Sequence, residues 1–266
     1  MIPLSIHDVS RVFPDGTRAL DGVSFTINPG EGTILLGSNG SGKTTLLRCI
    51  NGLETATSGH IYVDNIDVVE AKRRRAHKTL RRVRWQVGMV FQKFNLIGNL
   101  GVLQNVLFGS LGRTNNPLKV FSLAASRQER LRAMACLDRV GLADLAQRRA
   151  DSLSGGQQQR VAIARMLMQD PQVVLADEPI ASLDPKSGRE VMDLLWEIVR
   201  ERNLTVVCAL HQLEIAKEYG DRLVGLRHGT LVMDSPTAEM DAERLHQLYE
   251  DINLPKAPVQ DKISLS

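Results

Sequence analysis

With 266 residues, 43% of them hydrophobic, and a net charge of +3, the chain has the size of one large domain or a core with a subdomain, and too little excess basic charge to make nucleic acid its main partner. Cys49, Cys136 and Cys208 stand singly in apolar surroundings without a CxxC pair, which argues against a disulfide framework or a zinc site and fits a reduced, cytoplasmic setting. The start, Met1 to Ser5, lacks the basic and apolar stretches of a signal peptide, and no uncharged run approaches the ~20 residues that span a bilayer, so any membrane association is expected to come through a partner.

Short β-rich runs open the chain at Leu4 to Val9, Val23 to Ile27 and Thr33 to Leu36. The third ends at a glycine-rich turn that leads into a helix from about Lys43. Further β-rich runs, Ile61 to Val63 and Val87 to Phe91, bracket a polar segment containing Lys72, Arg73, Arg74, Arg75, Lys78, Arg81, Arg82 and Arg84. Two readings of that basic stretch compete: a solvated helix face, or contact with anionic lipid head groups or a partner's acidic edge.

From about Asn95 to Gln169 the pattern is helical, with Leu131, Met134, Ala135 and Val140 at spacings near three and four, as for a helical subdomain inserted in an α/β core. Strand and helix then alternate. A strand over Val173 to Asp177 precedes a helix with Val191, Leu194, Leu195, Ile198 and Val199 on one face, followed by a strand over Thr205 to Leu210. Leu223 to Leu226 and Leu231 to Met233 flank a His228-Gly229 turn as in a hairpin, and a last helix is expected over about Ala242 to Asp251.

Gly37-Ser38-Asn39-Gly40-Ser41-Gly42-Lys43-Thr44 matches G-x-x-x-x-G-K-[ST] between an apolar strand and a helix, the context in which such a loop cradles phosphates. Glycines let backbone N–H groups approach phosphate oxygens, and the helix N-terminus adds its positive dipole end. Lys43 is placed to reach the β and γ phosphates of a nucleotide, and the Thr44 hydroxyl to bind Mg²⁺. Downstream, the apolar run Val173 to Ala176 ends in Asp177 and Glu178, delivering two acids to a strand end. Asp177 suits Mg²⁺, directly or through water, while Glu178 is placed to orient or deprotonate the attacking water. A third element, Leu153-Ser154-Gly155-Gly156-Gln157, opens a helix with capping-box spacing between Ser154 and Gln157, a second backbone-lined anion site.

Leu153 to Gln157 match the signature motif of the ATP-binding cassette family, and the chain resembles that family over nearly its whole length. The resemblance implies an α/β P-loop NTPase core with a mostly parallel sheet, an N-terminal antiparallel β subdomain and an inserted helical subdomain. One ATPase domain over residues 1–254, with the insertion at about 95–169, and a tail over 255–266 are expected. It also implies a homodimer in which Ser154, Gly155, Gly156 and Gln157 of one copy close on ATP held by Gly37 to Thr45 of the other. Residue by residue, Gln92 matches the Q-loop glutamine that reaches metal and water, Asp184 the D-loop aspartate, His211 the switch histidine, and Phe13 the adenine-stacking aromatic. Ser38-Asn39 departs from the family's frequent Pro-Ser or Pro-Asn pair.

Within the family, Phe91 to Leu96, Val102 to Leu107, Gly109 to Arg113, Ala176 to Pro185, Leu210 to Gln212 and Leu248 to Asn253 are similar to the ATPases of phosphonate importers. That branch implies uptake of phosphonate or a related phosphorus oxyanion, permease subunits, a solute-binding protein, and a peripheral place at the cytoplasmic face of the cell membrane. An importer of another small solute, such as an amino acid or phosphate, a non-transport cassette ATPase, and a P-loop kinase or GTPase are the rival readings. The last leaves Leu153 to Gln157 and His211 unexplained.

Overall fold

The computed structural model describes residues 2–113 and 124–240. The expected helix over Ala242 to Asp251, the Leu248 to Asn253 segment and the tail after Pro255 lie outside the described residues.

A four-stranded antiparallel sheet forms from β1 (Leu4–Val12), β2 (Arg18–Ile27), β4 (Ser58–Val63) and β5 (Ile66–Asp67), in the order β2-β1-β4-β5. A six-stranded sheet takes β3 (Gly32–Leu36), β6 (Val87–Val90), β7 (Val173–Asp177), β8 (Thr205–Leu210), β9 (Arg222–Arg227) and β10 (Thr230–Pro236), in the order β10-β9-β3-β8-β7-β6. Its neighbours run parallel except the β9–β10 hairpin, which turns at His228-Gly229 as expected. Phe91, expected in strand, falls just beyond β6.

Why the central strands read as unbroken apolar runs is explained by their two covered faces. Successive side chains point to opposite sides of a sheet. Ile34, Leu36, Val174, Ala176, Val206 and Cys208 therefore enter one core, under α4 (Val102–Leu107), α5 (Arg127–Arg139), α6 (Gly155–Gln169), α7 (Pro185–Arg202) and α8 (Leu213–Tyr219). Leu35, Val173, Leu175, Val207 and Ala209 enter the other, shared with α1 (Lys43–Ile50), α2 (Val68–Arg73), α3 (His77–Gln86) and the antiparallel sheet. Burial pushes the Cys49 thiol up to about 12, so this cysteine is a packing group rather than a nucleophile.

Register fixes where the chemistry can lie. Leu36 pairs with Leu210, and Asp177 with Ala209, so β3, β7 and β8 end side by side at one edge of the sheet. The glycine-rich loop, the acid pair and His211 all follow those ends. In open parallel sheets this C-terminal edge is where ligands bind.

Six of the eight basic residues have partners within the chain, although most of the stretch is exposed. Lys72 Nζ and Arg84 Nη2 both donate to Gly52 O, at 2.9 Å, Arg73 Nη2 to Thr57 O at 2.7 Å, and Arg81 Nε to Gly112 O at 3.1 Å. Arg74 pairs with Glu70 at 2.5 Å and Arg82 with Asp64 at 3.3 Å. Lys72, Arg73 and Arg84 fasten the loop after α1 to α2 and α3, while the exposure of the stretch is that of a solvated helix face.

Candidate active site

Gly42 caps the N-terminus of helix α1; its φ of 109° lies in the left-handed region, and a Cβ there would sit 2.5 Å from Ala19 O. Only glycine allows this approach. The turn leaves the N-terminal amides of α1 facing a cavity of about 370 Å³ lined by Phe13, Thr17, Arg18, Ala19, Asn39, Gly40, Ser41, Gly42, Lys43, Thr44, Thr45, Gln92 and Glu178. Gly37 and Ser38 contribute carbonyl oxygens that accept from Lys43 Nζ at 2.8 and 3.2 Å. Lys43 is only 4% exposed; burial lowers its pKa, and the charges of Glu178 and Asp177 oppose that shift.

Asp177, at the end of β7, accepts from Thr44 Oγ1 at 2.7 Å. The two groups form a pair of hard oxygen donors beside the phosphate loop, the ligand chemistry that Mg²⁺ prefers. Asp177 is 4% exposed, and burial raises its pKa against the opposing Thr44 hydrogen bond. Its neighbour turns elsewhere because Glu178 takes a φ of 49°, off the strand geometry. Glu178 Oε1 lies 2.5 Å from His211 Nε2 and 3.8 Å from Lys43 Nζ, while His211 Nδ1 lies 3.1 Å from Gly37 O. Glu178, His211, Lys43 and the loop thus form one connected group.

Because the raised pKa of Asp177 marks a carboxylate that the fold destabilises, its cost is fully present above the folded value and disappears as pH falls below the ordinary 3.8. Asp177→Asn is therefore expected to raise the unfolding free energy of the nucleotide-free chain at neutral pH, a stability gain of the kind seen when a functional group is removed. Melting curves down a pH series check this. The gain should shrink toward acid pH while magnesium-dependent hydrolysis is lost throughout; a destabilised Asn variant at neutral pH would contradict it.

The signature segment lies elsewhere. Ser154 Oγ accepts from Gln157 N at 3.3 Å and Gln157 Oε1 accepts from Ser154 N at 3.0 Å, a complete capping box at the start of α6. Gly155 packs 3.2 Å (from a built Cβ) from Leu183, and Gly156 likewise 3.3 Å from Ser187, so the segment leans on the turn carrying Asp184. Asp184 caps α7 by accepting from Ser187 N at 3.0 Å, and those hydrogen bonds hold its carboxyl below the usual range. None of Ser154 to Gln157 lines the phosphate-loop cavity described above. The signature segment and the phosphate loop do not meet within the chain.

Sequence reasoning passed over Thr17, Arg18 and Ala19, which line the cavity from the start of β2. The Pro14-Asp15-Gly16 turn beside Phe13 was the available signal, since it folds those residues back against the aromatic. It also passed over Arg165 on α6, whose guanidinium donates to Asn95 O at 2.5 Å and Phe94 O at 2.9 Å and so holds the segment after Gln92.

Comparison with known proteins gives a consistent result. The profile of the ABC transporter family matches residues 20–181. A phosphonates import ATP-binding protein of Nocardia farcinica is 52% identical over 234 residues, covering 88% of this chain and 85% of that protein. A phosphate-import ATP-binding protein of Mycolicibacterium smegmatis is 50% identical over 254 residues, covering 96% and 94%. Among solved structures, a dimeric ATP-binding cassette bound to ADP and Pi superposes with a TM-score of 0.76 at 34% identity, covering 88% of this chain and 98% of that one.

Proposed function

The chain belongs to the ABC transporter family, as one of its ATP-hydrolysing subunits, and from that premise we propose that it drives import of a phosphonate or related phosphorus oxyanion. The observation that carries the catalytic reading is Glu178 Oε1 held 2.5 Å from His211 Nε2 and 3.8 Å from Lys43 Nζ, one residue from the Thr44–Asp177 pair.

In this reading ATP lies with its phosphates on the α1 N-terminus and Lys43, and its adenine against Phe13. Lys43 offsets charge on the β and γ phosphates. Thr44 and Asp177, with Gln92 at the rim, would hold a magnesium ion, which when bound neutralises further phosphate charge. Glu178 takes the proton of the attacking water, and His211, between Glu178 and the loop, holds that carboxylate in place and meets the γ phosphate. Ser154 to Gln157 of a second copy supply the missing face through backbone N–H groups and the α6 dipole. Phosphoryl transfer needs mostly positioning and charge stabilisation, and this closure provides both.

Among the described residues no helix is long and apolar enough to cross a membrane. On its likeness to the import ATP-binding relatives, the chain is proposed to work at the cytoplasmic face with permease subunits. A groove of about 390 Å³ suits that contact: Leu53, Met89, Phe91, Phe108 and Leu111 give it an apolar lining, and Leu53 and Leu111 are themselves exposed. Arg165 and Asn95 line the same groove, so a shift there reaches Gln92 through the carbonyls that Arg165 holds.

The cargo reading rests on the two relatives above, one a phosphonates import ATP-binding protein and one a phosphate-import ATP-binding protein. Reconstitution with permease subunits and a phosphonate-binding protein tests it. ATPase activity should rise severalfold on adding a phosphonate. Hydrolysis that ignores phosphonate, phosphite and phosphate alike would leave the ATPase assignment standing and remove the cargo.

A further inference from the structure

We infer that Arg11 is a positioning residue for nucleotide binding, holding Phe13 as the platform on which the adenine ring stacks. Arg11 is the penultimate residue of β1 and Phe13 the first residue beyond it. The Arg11 guanidinium carbon lies 4.7 Å from the centre of the Phe13 ring, within cation–π range. The guanidinium is anchored at its far end, where Nη2 donates to Glu54 Oε1 at 2.8 Å, and the Arg11 side chain is only 18% exposed.

Each end of this arrangement is fixed. The Phe13 backbone is set by its own turn, with Phe13 N donating to Thr17 O at 2.9 Å and Gly16 N to Phe13 O at 2.9 Å. Glu54 belongs to the loop that follows α1, and its N–H donates to Arg48 O, the carbonyl of an α1 residue, at 3.0 Å. That loop is stitched to β1 by Thr57 N to Ser10 O at 2.7 Å and Val12 N to Thr57 Oγ1 at 2.9 Å. Phe13 lines the same cavity as the phosphate loop. With a guanidinium over one face, the ring presents its other face to a base. Since α1 receives the phosphates at its start and anchors Arg11 through Glu54 just past its end, one helix sets the distance between the two ends of the nucleotide.

The inference rests on the reading of Phe13 as the stacking residue, and the experiment separates the two. Titration calorimetry of the full chain compares ATP with inorganic tripolyphosphate, which has phosphates and no base. The variants are Phe13→Ala, Arg11→Met, Arg11→Lys and the double variant Arg11→Met/Phe13→Ala. Arg11→Met should weaken ATP by about threefold to fivefold, the size of a partly exposed cation–π contact, and leave tripolyphosphate unchanged. Arg11→Lys should recover part of the loss, and the double variant should bind ATP no more weakly than Phe13→Ala alone. If Phe13→Ala weakens ATP while Arg11→Met does not, the role given to Arg11 is wrong and stacking stands. An ATP affinity untouched by Phe13→Ala removes stacking and Arg11 together. Equal losses for ATP and tripolyphosphate in Arg11→Met would make Arg11 a general support of the fold, which also overturns the inference.

Discussion

Glu178→Gln should lower ATP hydrolysis by about 10²–10⁴-fold, the contribution of a positioned general base, while ATP affinity stays near that of the parent chain. The amide keeps the shape of the carboxylate and its place against His211, 2.5 Å away, but cannot accept a proton from water. In the proposed reading binding falls to other groups: the α1 N-terminus, Lys43 and the Thr44–Asp177 pair. The variant removes one charge from a crowded site, since Glu178 also faces Lys43 at 3.8 Å, so a small change in affinity is compatible with the expectation. Single-turnover hydrolysis beside equilibrium binding separates the two effects. Retained hydrolysis with the amide in place would assign the proton to another group.

Lys43→Ala should act on the other half of the cycle, weakening ATP by about 10²-fold, as expected when a charge-assisted hydrogen bond of roughly 1.5–3 kcal/mol is lost. The apo fold should tolerate it. Burial lowers the Lys43 pKa, so its charged form costs folding free energy below the folded pKa, a cost gone above the ordinary 10.5. The opposing attraction of Glu178 and Asp177 is lost as well, which keeps the net change in melting small. Calorimetry with ATP and a thermal melt without it make the check: undiminished affinity would mean that the loop amides hold the phosphates without the lysine.

The parts of the site legible in the sequence are those written in consecutive residues. The phosphate loop, the acids closing β7 and the capped start of α6 each consist of adjacent side chains whose local geometry follows from glycine, strand alternation and helix capping. The ends of the strand Val173 to Asp177 and the strand Thr205 to Leu210 came out where the apolar runs stop. Contacts between distant segments were not legible. Arg11 meets Glu54 across 43 residues and Arg165 meets Phe94 across 71, and no periodicity in either neighbourhood signals the pairing. The basic stretch is exposed along most of its length, as a solvated helix face would be, but composition gave no sign that Lys72, Arg73 and Arg84 also reach carbonyls of the preceding loop. Helix α8, only Leu213 to Tyr219, is too short to give a clear helical period and becomes visible through Ala216 and Tyr219 in the core.

Ser154 to Gln157 stand apart from the cavity holding Lys43 and Glu178, and the proposed function has a second copy supply them. Sizing the purified Glu178→Gln chain by light scattering, with ATP, with ADP and with neither, tests this directly. A monomer that becomes a dimer with ATP alone, and stays monomeric when Lys43→Ala is added, is the expected result. A Glu178→Gln chain that binds ATP at full occupancy and remains monomeric, alone and in excess ATP, would contradict a site shared between two copies.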